Sequence, residues 1–242
     1  MRVAILLPAR NEEEAIGPTL AEIAEQRPAQ IIVADNGSTD RTAERAAECG
    51  ATVVRELRAG YGRACLAAMR ALDPSIEIVV FMDSDGSDDP AYLPRLLEPI
   101  LEQKADFVLG ARLPATGNSS SLPLHQEWGN RLCTAFLRVL YRVPCSDLGP
   151  FRAIRRDALD HLRMSHPDFG WTAEMQVKAA LAGLRVREIP VPHRPRRAGK
   201  SKVSGTLRGT VLAGSKILWT IARYRFFPPA DAPRPWHQPL EI

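Results

Sequence analysis

The sequence predicts an α/β fold organised around a mostly parallel sheet, on two observations. Across the first 110 residues, short apolar runs alternate with longer amphipathic stretches at strand–helix spacing. Polar turns rich in Asp, Asn, Ser and Gly follow several of those runs, where open α/β sheets hold their ligands. Strands are expected over residues 3–7, 31–34, 52–55, 78–82 and 107–109, and helices over 12–26, 40–49, 60–72 and 91–103. Right-handed crossovers through those helices make the sheet parallel.

Beyond residue 110 the pattern changes. Residues 113–124 hold Pro114, Gly117, Asn118, three serines and Pro123, which reads as a lid or binding loop or as a plain surface loop. A helix over 128–141, a segment 145–154 with no assigned element, a helix after Arg155, a helix over 171–182 and a strand over 186–191 follow. The expected layout is one domain over 1–204, a basic amphipathic helix over 205–227 and an extended, disordered Pro-rich tail over 228–242. In the helix, Leu207, Val211, Leu218, Ile221 and Ala222 share one side, and Arg208, Lys216 and Arg223 the other. With Trp219, Phe226 and Phe227, such a helix suits a membrane interface. It suits equally packing against the domain or against a second copy in a homo-oligomer.

With 242 residues, 45% hydrophobic and 25% charged, the chain has ordinary globular composition and enough length for a real core. The net charge of +4 is modest, but its distribution is uneven. Between 185 and 208 stand Arg185, Arg187, Arg194, Arg196, Arg197, Lys200, Lys202 and Arg208 against Glu188 alone, a block that expects an anion. Few aromatics interleave it, and no nucleic-acid-binding motif appears, so nucleic acid is not an expected partner. The four cysteines lack metal-site spacing; three of them, Cys49, Cys65 and Cys133, sit in helical patterns and read as small core residues, and the set favours a reducing compartment. No apolar run reaches about 18 residues, so no spanning helix is expected. The five histidines share no ligand spacing and read as structural, with His193 beside the basic block.

The chemistry concentrates in the run Asp83-Ser84-Asp85-Gly86-Ser87-Asp88-Asp89-Pro90. Two carboxylates one residue apart at the end of an apolar strand make a hard-oxygen site for Mg²⁺ or Mn²⁺, or a solvated acidic turn. Asp88 and Asp89 ahead of Pro90 read as helix caps. Pro8-Ala9-Arg10-Asn11-Glu12 and Asp35-Asn36-Gly37-Ser38-Thr39-Asp40 place two more polar turns at the same edge. Asp35 suits a base or ribose, and the Gly37–Thr39 amides open the next helix. Gly60-Tyr61-Gly62 sets glycines where a backbone must approach something closely.

Together with Gly110-Ala111-Arg112, Asp147-Leu148-Gly149-Pro150-Phe151-Arg152 and Arg197-Ala198-Gly199-Lys200-Ser201-Lys202, these stretches resemble glycosyltransferase family 2, most closely its polyprenyl-phosphate (dolichol-phosphate mannose synthase-like) branch. The resemblance covers roughly residues 3–204. It implies the GT-A fold, a mostly parallel Rossmann-like sheet flanked by helices, and inverting hexosyl transfer from a UDP- or GDP-sugar. It places Pro8, Arg10, Asn11, Glu12, Asp35, Gly37, Gly60, Asp83, Ser84, Arg197 and Ser201 around the nucleotide. It gives Asp83, Asp85 and Ser87 to the divalent ion, and Arg112 and Arg152 to the acceptor phosphate. The segment from Arg197 to Lys202 corresponds to a mobile basic loop closing over both phosphates. Two departures stand out: Ser87 replaces the branch's usual Gln, and Leu148-Gly149-Pro150-Phe151-Arg152 replaces a Ser-Gly-Phe-Arg-like run.

The expected activity is metal-dependent transfer of a hexose to a polyprenyl phosphate at the cytoplasmic face of the membrane. A phosphate acceptor is already ionised and needs no general base, whereas a hydroxyl acceptor needs one, for which Glu174 is the candidate. Glu174 also suits a supporting role, paired with a basic residue. Two alternatives share the fold: a transferase using a soluble hydroxyl acceptor, and a non-catalytic nucleotide-binding scaffold at the membrane.

Overall fold

The computed structural model describes residues 1–112, 124–143, 145–199, 207–228 and 232–236. Its sheet contains β1 (Val3–Ala9), β2 (Gln30–Asp35), β3 (Thr52–Arg55), β4 (Ile78–Phe81), β5 (Phe107–Arg112), β6 (Arg152–Arg155) and β7 (Val186–Val191). The strand order is β3-β2-β1-β4-β6-β5-β7. The helices are α1 (Glu13–Glu25), α2 (Thr42–Glu48), α3 (Tyr61–Arg70), α4 (Leu93–Leu101), α5 (Leu124–Tyr141), α6 (Arg156–Leu162), α7 (Trp171–Ala182) and α8 (Leu207–Phe226).

Both sheet faces are covered, which explains why the central strands read as nearly unbroken apolar runs. Along β1, Ala4 and Leu6 enter the core shared with α3, α5, α6, α7 and α8. Ile5, Leu7 and Ala9 enter the opposite core beneath α1, α2 and α4. Phe81, from β4, meets Trp171 edge-on at 4.7 Å between ring centroids.

Pairings β1–β2, β1–β4, β2–β3 and β5–β7 are parallel. The segment left unassigned in the sequence supplies β6, which runs antiparallel between β4 and β5. Its short Arg-Ala-Ile-Arg run has a charge at each end and so carries no strand-like alternation. Helix α5 begins four residues before its expected start at 128. Cys65, Cys133 and Cys145 are buried, but Cys49 is exposed rather than in the core. The loop over 113–123 and most of the tail lie outside the described residues. No helix among the described residues is long and apolar enough to cross a membrane.

In α8 the buried side is formed by Ala213, Thr220, Ile221 and Tyr224, while Trp219 and Phe226 are exposed. The helix therefore sits rotated from the arc that apolarity alone suggests, because Tyr224 has a polar partner inside. That partner is Glu174 on α7, whose Oε1 accepts from the Tyr224 hydroxyl at 2.9 Å.

Glu174 also pairs with Lys178 one turn on at 3.0 Å, both fully buried. The Ser165 hydroxyl at 2.9 Å and the His166 amide at 2.8 Å donate to the same carboxylate. Lys178 donates to the carbonyl of Arg163 at 2.6 Å. Burial pushes the Glu174 pKa up, but Lys178 and these donors outweigh it and hold the value below 4.5. The group's contribution to stability is therefore complete above its unfolded-state pKa and is lost as pH falls through the lower folded value. Glu174→Gln should cost about 3–5 kcal/mol by removing the carboxylate that balances the charge of the buried Lys178. In urea unfolding from pH 7 downward, the gap between wild type and this variant should hold to about pH 5 and then narrow. A second change, Lys178→Met, should restore much of the loss.

Candidate active site

Three turns at the carboxyl edge of β1, β2 and β3 form one hydrogen-bonded unit. Asn11 adopts a left-handed conformation, φ 52°, that short amide side chains tolerate. Its amide donates to Ser38 Oγ at 2.9 Å and its Oδ1 accepts from Thr39 N at 2.8 Å. The Glu12 amide donates to Thr42 Oγ1 at 2.8 Å. Asp35, buried, accepts from Ser38 N at 3.2 Å. Asn36 completes the unit: its Nδ2 donates to the carbonyls of Glu56 and Arg58 at 3.0 and 2.9 Å, and its Oδ1 accepts from Gly60 N at 2.8 Å.

The turn after β4 gathers negative charge. Asp88 Oδ2 accepts from Asp83 N at 2.9 Å, Asp85 Oδ1 accepts from Ser87 N at 2.8 Å, and Ser84 Oγ donates to the Pro8 carbonyl at 2.9 Å. Asp89 caps the following turn through Ala91 N at 3.0 Å, as expected from the sequence. Asp88 does not cap; it is buried beneath Asp83. Burial, reinforced by Asp85 and Asp88, holds the Asp83 pKa well above the ordinary carboxylate range. Burial likewise raises Asp88 to about 7 despite the hydrogen bond from Asp83 N.

A basic strap lies along this turn. Asp88 and His193 form an antiparallel bridge, Arg194 N donates to Ser87 O at 2.8 Å, and Arg197 N donates to Asp85 O at 3.0 Å. The Arg196 guanidinium spans the acidic rim, pairing with Glu12 at 2.6 Å and with Asp85. Arg194 pairs with Glu22 at 2.9 Å and Asp89 at 2.7 Å, and Arg197 also pairs with Glu22. Gly86 has φ +78°, and a Cβ there would overlap the Arg197 side chain, so the strap needs glycine at this position.

Two adjoining cavities of about 300 and 330 Å³ share Pro8, Arg10, Tyr61 and Phe169 in their walls. Glu12, Asp83, Ser84, Asp85 and Arg196 line the first, and Asn36, Gly60 and Asp168 the second. Leu148, Pro150, Thr172, Ala213 and Ile217 close the first cavity from the far side. A polar rim with an apolar back wall suits a charged ligand carrying a less polar part.

The residues fit a divalent cation held in part by its ligand. The Asp83 carboxylate faces the cavity and receives no hydrogen bond or ion pair among the described residues, and Asp85 stands beside it. No group of three His, Cys, Asp or Glu side chains close enough to hold an ion occurs among the described residues. Phosphate oxygens and water would have to complete the shell, as is usual for Mg²⁺.

Other residues singled out in the sequence lie further from the rim. Ser87 is buried and absent from the cavity walls. Arg112 is held two-pronged by Asp147, both bonds 2.7 Å. Arg152 is fully buried, donating to the carbonyls of Thr172 at 3.1 Å, Leu148 at 3.4 Å and Gly149. Burial lowers its pKa. Glu174 belongs to the interior network described above and does not line either cavity. Gly37 lies in the second turn, and Gly60 precedes α3. What approaches the Gly60–Gly62 stretch closely is the chain's own backbone: a Cβ on Gly62 would overlap His166 and Pro167. Ser201 and Lys202 lie outside the described residues.

Sequence reasoning passed over Asn36, Tyr61, Asp88 and Arg196 as site residues. Arg196 stood in a basic block with no periodicity to select it. Asn36, just before a glycine, carried a turn signal but none for a three-way cross-link.

The sequence profile described as glycosyl transferase family 2 matches residues 4–163. An uncharacterised glycosyltransferase of Mycobacterium tuberculosis is 43% identical over 217 residues, 87% of this chain and 94% of that one. A dolichyl-phosphate hexose transferase of Haloferax volcanii is 32% identical over 218 residues, 89% of this chain and 92% of that one. An undecaprenyl-phosphate mannosyltransferase of Micrococcus luteus is 31% identical over 221 residues, 86% of this chain and 90% of that one. Among solved structures, glucosyl-3-phosphoglycerate synthase from Mycobacterium tuberculosis, in complex with Mn²⁺ and UDP-glucose, superposes with a TM-score of 0.75 at 24% identity, covering 95% of this chain and 80% of that one. At that identity the likeness is one of fold, and the fold is GT-A-like. With the acidic turn at the sheet's carboxyl edge, the basic strap across it and a family match over most of its length, this chain belongs to glycosyltransferase family 2 and is a glycosyltransferase.

Proposed function

We propose that the enzyme transfers a hexose from a nucleotide sugar to a polyprenyl phosphate at a membrane surface, with inversion at the anomeric carbon. The observation that carries this reading is the gathering of Asp83, Asp85 and the Arg196 guanidinium in the lining of one cavity, Arg196 in direct ion pair with Asp85. An oxygen of the acceptor phosphate bonds to the anomeric carbon as the carbon–oxygen bond to the diphosphate breaks. The electron pair stays on the leaving oxygen, and no proton need move.

A divalent ion, Mg²⁺ or Mn²⁺, held by Asp83 and Asp85 supplies Lewis-acid charge to the diphosphate when bound. Arg196 and Arg197 supply fixed positive charge from the strap, with Lys202 further along the same segment. The Asp35–Gly37 turn and Gly60 frame the nucleoside, while Arg112, its charge matched by Asp147, supports the acidic turn from behind.

Two features favour a phosphate over a hydroxyl acceptor. Both named relatives with a stated acceptor act on polyprenyl or dolichyl phosphates. Glu174, the base a hydroxyl would require, is committed to Lys178 in the interior.

Labelled hexose from a UDP- or GDP-sugar should enter the organic phase when polyprenyl phosphate is supplied with Mn²⁺. Asp85→Asn should reduce that rate by about a hundredfold or more. Label appearing only in water-soluble acceptors would overturn the lipid reading, and no transfer from any donor would favour the scaffold.

Arg196 competes with a cation for Asp85 and Glu12. Arg196→Gln should therefore tighten Mn²⁺ binding without nucleotide by about tenfold in calorimetry, equivalent to about 1.4 kcal/mol, while turnover falls. Unchanged or weaker Mn²⁺ binding would place the ion away from Asp85.

A further inference from the structure

The apolar side chains left in solvent are unevenly distributed. Eleven large hydrophobic residues are exposed among the described residues, and seven belong to α5, α8 and the residue that follows α8. On α5 these are Trp128, Leu132, Phe136 and Val139, at spacings that place them on one helical face. Trp128 is 69% and Val139 79% exposed, while Cys133 and Leu137 on the opposite side are buried. The pattern is inverted from that of a core-facing surface helix, because the solvent side is apolar as well. On α8, Trp219 and Phe226 share an outer face with Arg223, and Phe227 follows. The two helices pack together, with the Tyr141 hydroxyl donating to the Ile221 carbonyl at 2.7 Å. Their stripes are thus parts of one surface.

Charge selects the occupant. Arg131, Arg138 and Arg142 run beside the apolar stripe of α5 and are exposed. Glu127, already paired with Arg131 at 2.7 Å, is the only acid in residues 124–142, and 207–226 contain none. Arg138, Arg142, Arg223 and Arg225 make no ion pair among the described residues. Two copies meeting symmetrically through this face would set rows of arginines against each other. An anionic bilayer meets both needs, with headgroups for the guanidinium groups and acyl chains for Trp, Phe and Leu.

We propose that the joint outer face of α5 and α8 is a docking surface for an anionic lipid bilayer. This deepens the acceptor reading, on which the choice of a lipid partner partly rests, and it extends the expected interfacial helix to α5. Docking sets the active site at the bilayer, because the other side of α8 presents Ala213 and Ile217 to the first cavity.

The test is sedimentation of the full chain with vesicles of phosphatidylglycerol and phosphatidylcholine, or of phosphatidylcholine alone. Wild type should pellet with the anionic vesicles only, and its tryptophan emission should move to shorter wavelength as Trp128 and Trp219 leave water. Trp128→Ser/Val139→Ser/Trp219→Ser and, separately, Arg138→Glu/Arg142→Glu/Arg223→Glu should each weaken binding at least tenfold. Leu101→Ser/Leu181→Ser, at exposed sites elsewhere, should not. All these positions are exposed, and matching far-ultraviolet circular dichroism will confirm that the variants fold.

With polyprenyl phosphate dissolved in detergent, both docking variants should keep wild-type turnover, and with vesicle-embedded acceptor they should lose it. Equal binding by the docking variants, equal binding to neutral vesicles, or a wild-type dimer that the variants dissolve would each overturn the docking surface. Transfer in detergent without vesicle binding would sink docking alone. Vesicle binding without transfer to polyprenyl phosphate would sink the acceptor reading alone.

Discussion

Four carboxylates, Glu12, Asp83, Asp85 and Asp88, are brought to one edge of the sheet, and three of them are buried outright. Charges taken out of water must be paired, protonated or given a cation, since each unpaired ion costs several kcal/mol. The chain shows the first two of these routes, and the third is open at Asp83. Glu12 and Asp85 share the Arg196 guanidinium, and Asp88 is driven by burial toward the neutral form. Asp83 is left facing the cavity without a partner among the described residues. The glycine at 86, the strap over 193–197 and the interlaced turns are conditions for holding that arrangement.

The strap shows how backbone pairing can position charge. Main-chain bonds from Arg194 to Ser87 and from Arg197 to Asp85 fix the register of the two segments. That register sends Arg196 over the rim and its neighbours outward to Glu22. One fixed strand-like contact thereby sorts three arginines that composition alone leaves equivalent.

Much of the fold was legible because the sheet is covered on both sides. β1, β2, β3, β4 and β5 fall on short apolar runs, and β7 on Val-Arg-Glu-Ile-Pro-Val, all close to their expected bounds. β6 was not legible, because Arg152 is buried as a cation among carbonyl oxygens and reads in sequence as a surface residue. The acidic turn was found for its spacing, but the division of labour within it depends on depth, which periodicity does not report. Asp88 and Asp89 look interchangeable before Pro90, yet one lies under the rim and the other caps a helix. Glycines 60 and 62 were correctly read as places of close approach, but the approaching group is the chain itself, a long-range contact invisible to local pattern.

Helix α8 has two clients: Ile217 and Ala213 bound a reaction chamber, and Trp219, on the opposite side of the helix, looks outward. Any displacement of its exterior face therefore displaces Ala213 and Ile217 in the chamber wall as well. Tyr224, tied to Glu174 and through it to Lys178, acts as the hinge pin that limits such displacement. One helix thus forms both an outer surface and part of an inner wall, so the position of each face fixes that of the other.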